Sequence, residues 1–287
     1  MGGQSVEVMS LLSADPDLAA GVPREELRMA LARTVGEVLR LPIGPWTPAP
    51  ELRRSAPLGL LIVDGLLTRR ITVAGRASVE LLGAGDVLMP WQDDGGPLSM
   101  VEEMQWRIVD PVRAIKLGGA VERSLARWPQ LYRNLQARSA RRAQALGIVI
   151  AISQVPQVHA RLMLLFWHLA ERWGKVAPGN IVVSIDVPQQ TLGELVHADR
   201  SSVNRALRRL RGEGLLARGA GGWVICTDPA NPSLWGSCAS SALLLRSPIA
   251  ALSLELEVEV DEPEVPTELF GPSAVTLVTV RQGEGVA

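Results

Sequence analysis

Pro188–Trp223 reads PQQTLGELVHADRSSVNRALRRLRGEGLLARGAGGW, and its second half decides the fold. Asp199 stands where a helix needs an N-cap, because its carboxylate can accept from the free amides of a first turn. Val203, Ala206, Leu207 and Leu210 follow at helical spacing as one apolar stripe. At about 100° per residue, Ser201, Asn204, Arg205, Arg208 and Arg209 gather on the opposite face. Gly212 and Gly214 end the helix where a left-handed residue is commonly required. Ahead of it, Gln189 to Val196 forms a shorter helix with its own stripe, Leu192, Leu195 and Val196. Gly193 is small enough there to let the second helix approach. The turn between them is His197-Ala198-Asp199, and histidine tolerates a positive φ, so His197 reads as a turn residue rather than a ligand or base. Leu215-Leu216 and Trp223-Val224-Ile225 flank a glycine-rich turn and make a short hairpin, with the Trp223 ring packing beneath it. Helix, tight turn, helix and hairpin in this order are a winged helix-turn-helix.

The charge pattern points to nucleic acid. Six arginines lie between Asp186 and Arg218 against Asp186, Glu194, Asp199 and Glu213, and five of the six fall between Arg200 and Arg211. A solvated helix face usually mixes signs, whereas guanidinium forks bind guanine edges or phosphates and serine and asparagine read neighbouring bases. Ser202 joins this set at the start of the helix. Arg218, in the hairpin, is placed to touch a phosphate.

The stretch from about Leu58 to Thr227 resembles the Crp/Fnr family, the bacterial regulators typified by the cyclic-AMP receptor protein. The second helix carries the most specific part. Arg200 and Arg205 match the two arginine positions that in the family contact phosphate and guanine. Ser201 stands where the family often has a glutamate that reads cytosine, which implies a different half-site. Gln190 matches a polar residue near the DNA backbone, and Gly193 matches the packing glycine. Upstream, Leu60-Leu61-Ile62-Val63-Asp64-Gly65-Leu66-Leu67 resembles the family's strand pair around a glycine turn. Glu80 to Leu88, with Gly83-Ala84-Gly85-Asp86, resembles the next strand and its G-x-G-D turn. Trp106–Val109 and Val112–Leu117 complete the roll as two further strands.

The resemblance implies an α+β fold. Residues 1–57 hold an N-terminal helix, Arg24 to Arg40, and a proline-rich linker, Pro42 to Pro57. Residues 58–120 form a β-roll like the cyclic-nucleotide-binding jelly roll. Residues 121–155 form a central dimerisation helix, interrupted near Trp128-Pro129, whose apolar seam is Leu146, Val149, Ile150 and Ser153. The alternative for that helix is burial against its own β-roll. Arg133, Arg138, Arg141 and Arg142 are expected on its solvated face. Residues 156–228 form the winged helix-turn-helix, opening with an amphipathic helix, Val158 to Trp173, and a polar connection, Lys175 to Asn180. His159 and His168 in that helix read as packing or surface residues. Residues 229–287 are an acidic, low-complexity tail, with seven acidic and no basic residues from Glu255 to Glu268. Leu252 to Val260 alternates and could pair with Val275 to Val280, or the tail is a disordered extension that competes with DNA for the basic helix.

The sensor chemistries of the family are not visible. The phosphate-binding arginine is missing: between Trp91 and Trp106 there are four carboxylates (Asp93, Asp94, Glu102, Glu103) and no arginine, so an anionic cyclic nucleotide is disfavoured. Gly95-Gly96 is a turn and not a phosphate loop. An iron–sulfur cluster needs about four thiolates, and the chain has two cysteines, Cys226 and Cys238. No histidine precedes the central helix, and metal spacings are absent. No cofactor and no metal are expected.

With 287 residues the chain can build two cores. Its formal net charge of −1 hides a basic reader and an acidic tail. No apolar run reaches the roughly 20 residues of a membrane span, no secretion signal opens the chain, and the two cysteines fit a reducing cytoplasm. These readings lead to a cytoplasmic, homodimeric, DNA-binding transcription regulator, with double-stranded DNA, RNA polymerase and an unidentified small effector as partners. The alternative is a ligand-binding or interaction module with a vestigial DNA head. No phosphate loop, nucleophile elbow or acid–base pair marks an enzyme.

Overall fold

The computed structural model describes residues 7–91, 101–177, 179–219 and 221–226. Asp93, Asp94, Gly95, Gly96, Cys238 and the tail 229–287 lie outside the described residues. The chain opens with β1 (Val8–Ser10), the short α1 (Leu11–Ala14), α2 (Leu27–Arg33), β2 (Val35–Leu41), β3 (Gly44–Trp46) and α3 (Leu52–Ser55). Two long strands follow, β4 (Leu60–Val73) and, after β5 (Arg76–Gly83) and β6 (Val87–Leu88), β7 (Glu103–Lys116). All pairings are antiparallel, in the order β1-β2-β7-β4-β5, with β3 on β7 and β6 on β4.

The N-terminal segment departs from the expected helix and linker. The helix stops at Arg33. Thr34 turns the chain, its amide and its hydroxyl both donating to the Ala30 carbonyl at 2.9 and 2.8 Å. Val35–Leu41 then pairs with β7, from Val38 opposite Ile115 to Leu41 opposite Val112. Gly36 makes this possible, since a Cβ there would lie 2.5 Å from Ile115 and 2.7 Å from the Lys116 carbonyl. The Pro-rich stretch likewise contributes β3, with Trp46 opposite Trp106 and their rings edge-on at 5.9 Å.

Two expected turns are absent because the strands bend instead of ending. Leu60–Leu67 belongs to one 14-residue strand. Trp106–Val109 and Val112–Lys116 belong to another, which runs through Pro111 and ends one residue short of Leu117. Proline has no amide to donate to the ladder. The register shifts between Ile62 and Leu67, where Gly65 adopts φ +88° and a Cβ would strike the Pro111 carbonyl at 2.1 Å. The glycine therefore makes a bulge that lets β4 pass the proline. The Gly83–Asp86 turn does form: the Asp86 carboxylate accepts from the Gly83 amide at 2.9 Å, and Gly85 has φ +82°.

Beyond the sheet come α4 (Ala120–Arg127), the 25-residue α5 (Pro129–Ser153) and α6 (Val158–Trp173). The break between α4 and α5 falls at Trp128-Pro129, as expected. The polar connection expected from Lys175 to Asn180 instead takes part in two paired strands, β8 (Gly174–Ala177) and β9 (Asn180–Val183). The reason is pairing at long range: β9 binds β11 (Gly222–Cys226), which in turn binds β10 (Leu216–Gly219), so the wing is the outer half of a sheet ordered β10-β11-β9-β8. Between them lie α7 (Gln189–Val196) and α8 (Arg200–Gly212).

The apolar residues fall into three clusters. One fills the roll, with Leu60, Ile62, Leu67, Leu82, Trp106 and Ile108. A second joins the N-terminal segment to α4 and α5 around Leu18, Leu61, Ile115, Trp128 and Leu131. The third is the core of the helix-turn-helix region, and it includes Leu66, Val79 and Leu81 from the sheet. Strand alternation explains this: Val79 and Leu81 face α6 and α7, while Leu82 faces the roll.

Candidate nucleic-acid interface

The helix pair is held by local features. Asp199 Oδ1 accepts from the Ser201 and Ser202 amides, both at 2.9 Å. It also accepts from the Ser201 hydroxyl at 2.6 Å, and Oδ2 from the Ser202 hydroxyl at 2.7 Å. These hydroxyls and amides hold the Asp199 carboxyl far below the usual carboxylate range, with Ser201 the largest cause. The cap therefore stays ionised at the helix N-terminus, where the macrodipole favours it. His197 takes the left-handed conformation, φ 51° and ψ 52°. Gly193 is buried against the second helix; a Cβ would lie 2.5 Å from the Ala198 carbonyl and 3.5 Å from Val203. Val203, Ala206, Leu207 and Leu210 are all buried. The chain leaves α8 through Gly214 at φ +71°, while the Leu215 amide returns to the Leu210 carbonyl at 3.0 Å.

This packing presents a polar face. Arg200, Ser201, Asn204, Arg205, Arg208 and Arg209 are exposed, and Ser202 is half-buried. Arg200, Asn204, Arg205 and Arg208 have no side-chain partner among the described residues. Arg209 pairs with Glu213 at 2.7 Å, one turn along the helix. The Ser201 and Ser202 hydroxyls donate to the cap, which leaves their lone pairs as acceptors. Gln190 sits exposed at the start of α7 and donates to Glu194 at 3.3 Å. Arg218 lies on β10, where it pairs with Asp186 and stacks over the Trp223 ring at 4.7 Å. Trp223 itself is buried under the hairpin against Phe166, ring centroids 5.0 Å apart.

Arg161 has a role that nothing in the local pattern announces. From α6 its guanidinium donates to the carbonyls of Val196 at 2.9 Å, His197 at 3.2 Å and Pro156 at 3.3 Å, and also to that of Val155. It satisfies the orphan carbonyls at the end of α7 and so holds the turn.

The helix-turn-helix region is also fastened to the sheet. Arg172 on α6 binds both oxygens of Asp86, at 2.8 and 2.6 Å, and the Leu81 carbonyl at 3.3 Å. Burial pushes the Asp86 carboxyl up, against the Arg172 guanidinium that pulls it down. Trp173 donates to the Ala84 carbonyl at 3.0 Å and lies under Arg172. Arg70 on β4 pairs with Glu194 on α7 at 3.0 Å. Two of the α5 arginines expected in solvent are ion-paired and mostly buried instead. Arg138 binds Asp15, and Arg142 binds both oxygens of Glu80 at 2.6 and 2.8 Å. Arg141 is exposed, as expected.

The α5 seam is only partly covered by this chain: Ile150 is 63% exposed, and Leu146, Val149 and Ser153 are half-buried. Among the described residues, no helix is long and apolar enough to cross a membrane.

Residues 160–231 match the family described as Crp-like helix-turn-helix domain. Among solved structures, a cyclic nucleotide-binding domain containing protein from Listeria monocytogenes EGD-e is similar with a TM-score of 0.54 at 14% identity, over 67% of this chain and 89% of that one. A CooA mutant from Carboxydothermus hydrogenoformans is similar with a TM-score of 0.51 at 13% identity, over 79% of this chain and 96% of that one. At these identities the likeness establishes a shared fold. No curated protein matches the chain.

Proposed function

We propose that this Crp/Fnr-like regulator, which carries a Crp-like helix-turn-helix domain at residues 160–231, reads the DNA major groove with the outer face of α8. The observation that carries the reading is the set of exposed side chains Arg200, Asn204, Arg205 and Arg208, without a partner among the described residues, on a capped helix whose other face is wholly buried. A guanidinium that has no carboxylate to leave can engage a guanine edge or a phosphate without first breaking an ion pair. Arg205 is the base reader and Arg200 a phosphate contact. Ser201 and Ser202 accept from bases or sugars, Arg208 and Arg209 extend the basic face, and Gln190 and Arg218 contact the backbone on either side. Arg218 must exchange Asp186 for phosphate to do so.

The unit that binds is a homodimer joined along α5, because the exposed Ile150 continues the seam of Leu146 and Val149. Two reader domains then address half-sites about one DNA turn apart. An effector that favours the binding-competent arrangement raises affinity by population shift. The protein acts in the cytoplasm, with RNA polymerase as a further partner.

Selection of bound sequences from a random duplex library by the purified full chain, at near-physiological salt, tests this reading. A two-fold-symmetric motif is the expected outcome. An enriched pool with no shared motif would contradict sequence-specific reading.

A further inference from the structure

Ser201 and Ser202 open α8 inside a cap that fixes where their hydrogens point. The Ser201 hydroxyl lies 2.6 Å from Asp199 Oδ1 and the Ser202 hydroxyl 2.7 Å from Oδ2, while both backbone amides reach Oδ1 at 2.9 Å. Ser201 first, then Ser202, hold the Asp199 carboxyl far below the usual carboxylate range, so it is ionised at neutral pH. An ionised carboxylate has acceptors only, and the hydrogen in each hydroxyl contact therefore belongs to the serine. Turning that hydrogen outward would break a charge-assisted bond, about twice as strong as one between neutral groups.

Ser201 is exposed, whereas Ser202 is half-buried. The Ser201 oxygen thus offers lone pairs to the outside and no hydrogen. A free serine hydroxyl pairs with base donors and base acceptors alike; this one is left to pair with donors. In the major groove the donors are the exocyclic amines, N4 of cytosine and N6 of adenine. Guanine presents acceptors at O6 and N7, and thymine presents one at O4. An acceptor set against an acceptor leaves both without a hydrogen, and such a mismatch is how a site rejects the wrong partner. Every base pair holds one of these amines, on one strand or the other. The hydroxyl therefore senses which strand carries the amine and is blind to purine against pyrimidine.

We infer that Ser201 selects an amino base, adenine or cytosine, over a keto base, guanine or thymine, at one position of each half-site. Asp199 is the positioning residue that makes the hydroxyl an acceptor. The inference rests on the DNA-binding reading above and names the class of base that the start of α8 takes. The N-terminal residues of a reading helix are the ones that meet base edges, and Ser201 is the second residue of α8. Ser201 and Arg205 stand one helical turn apart on the same face, with about 5–6 Å between Cβ atoms. Bases along a strand are about 3.4 Å apart, so the amino base lies within a step or two of the base that Arg205 reads.

The test uses the full chain and the duplex enriched by selection, with each position of the half-site changed in turn to all four base pairs. Competition binding at fixed salt is measured for wild type, Ser201→Ala and Asp199→Asn, and thermal unfolding confirms that each variant is folded. For the wild type, one position per half-site is expected to bind A·T and C·G alike. Reversing either pair there weakens binding about tenfold, the equivalent of one hydrogen bond. Ser201→Ala flattens the preference at that position and leaves the others in place. Asn caps a helix as well as Asp, but its neutral amide frees the Ser201 hydroxyl to donate, so Asp199→Asn narrows the same preference. The inference is overturned if Ser201→Ala changes no position, or if the position it changes favours G or T or separates purines from pyrimidines. An undiminished preference in Asp199→Asn would also overturn it. In each of these cases an enriched motif leaves the DNA-binding reading standing, whereas selection that yields no motif overturns that reading and this inference with it.

Discussion

Arginine serves opposite purposes at the two ends of this molecule. On α8, Arg200, Arg205 and Arg208 stand exposed with no carboxylate partner among the described residues. At the junction of sheet, α5 and α6, Arg138, Arg142 and Arg172 are each closed onto an acid, with side chains 11%, 18% and 19% exposed. The first set is available to a partner, and the second set is consumed in fixing the architecture. Composition and helical position do not separate the two. What separates them is whether a carboxylate from elsewhere in the chain comes within reach.

The comparison is broken most forcefully at Arg172. Arg172→Ala leaves Asp86 buried without its cation and removes the stacking on Trp173, and should cost about 4 kcal/mol. Urea unfolding measures it, and a loss below about 1 kcal/mol would mean that the pair is ornamental. Next in size is the pH dependence of stability that His168 confers. Its folded value is depressed from 6.5 to about 4, so the unfolded chain takes up the proton first as the pH drops. The contribution is complete above about pH 6.5, is lost progressively below it, and levels off below about pH 4. It amounts to about 2–3 kcal/mol. Unfolding curves across that range should show the loss, and His168→Leu should remove this part of it.

A smaller effect sharpens the contrast on the reader's side. Gly193→Ala forces a methyl to 2.5 Å from the Ala198 carbonyl, and displacing the second helix should cost about 1–2 kcal/mol, read by the same unfolding assay. The smallest is expected at Glu213. Its pair with Arg209 is an exposed pair one helical turn apart, and Glu213→Gln should change stability by no more than about 0.5 kcal/mol. If that change approached the Arg172 value, burial would not be what distinguishes the two sets.

The helix-turn-helix was legible because its determinants lie within a few residues of one another. The Asp199 cap, the stripe Val203–Leu210, the left-handed His197 and the close approach at Gly193 are all local, and each is found where its pattern points. The junction was not, because its pairs join residues far apart: Arg138 and Asp15 by 123 positions, Arg172 and Asp86 by 86, Arg142 and Glu80 by 62. Helical periodicity places such arginines on a polar face and cannot say which acid will meet them. The same reason hid β2 and β9, short segments whose extended form is set by distant partner strands, and β8 follows by pairing with β9. Gly65 misled in another way. A glycine between apolar runs suggests a turn, and only the proline opposite, Pro111, makes it a bulge.

The central claim is that the unpartnered face of α8 reads bases, and Arg205 is where it is tested most directly. Fluorescence anisotropy should be used to titrate wild type and Arg205→Ala against the duplex enriched by selection and against a random duplex. A loss of about 1–3 kcal/mol on the enriched duplex, with a much smaller loss on the random one, is the expected result. Equal losses on both duplexes, or none on either, would contradict it.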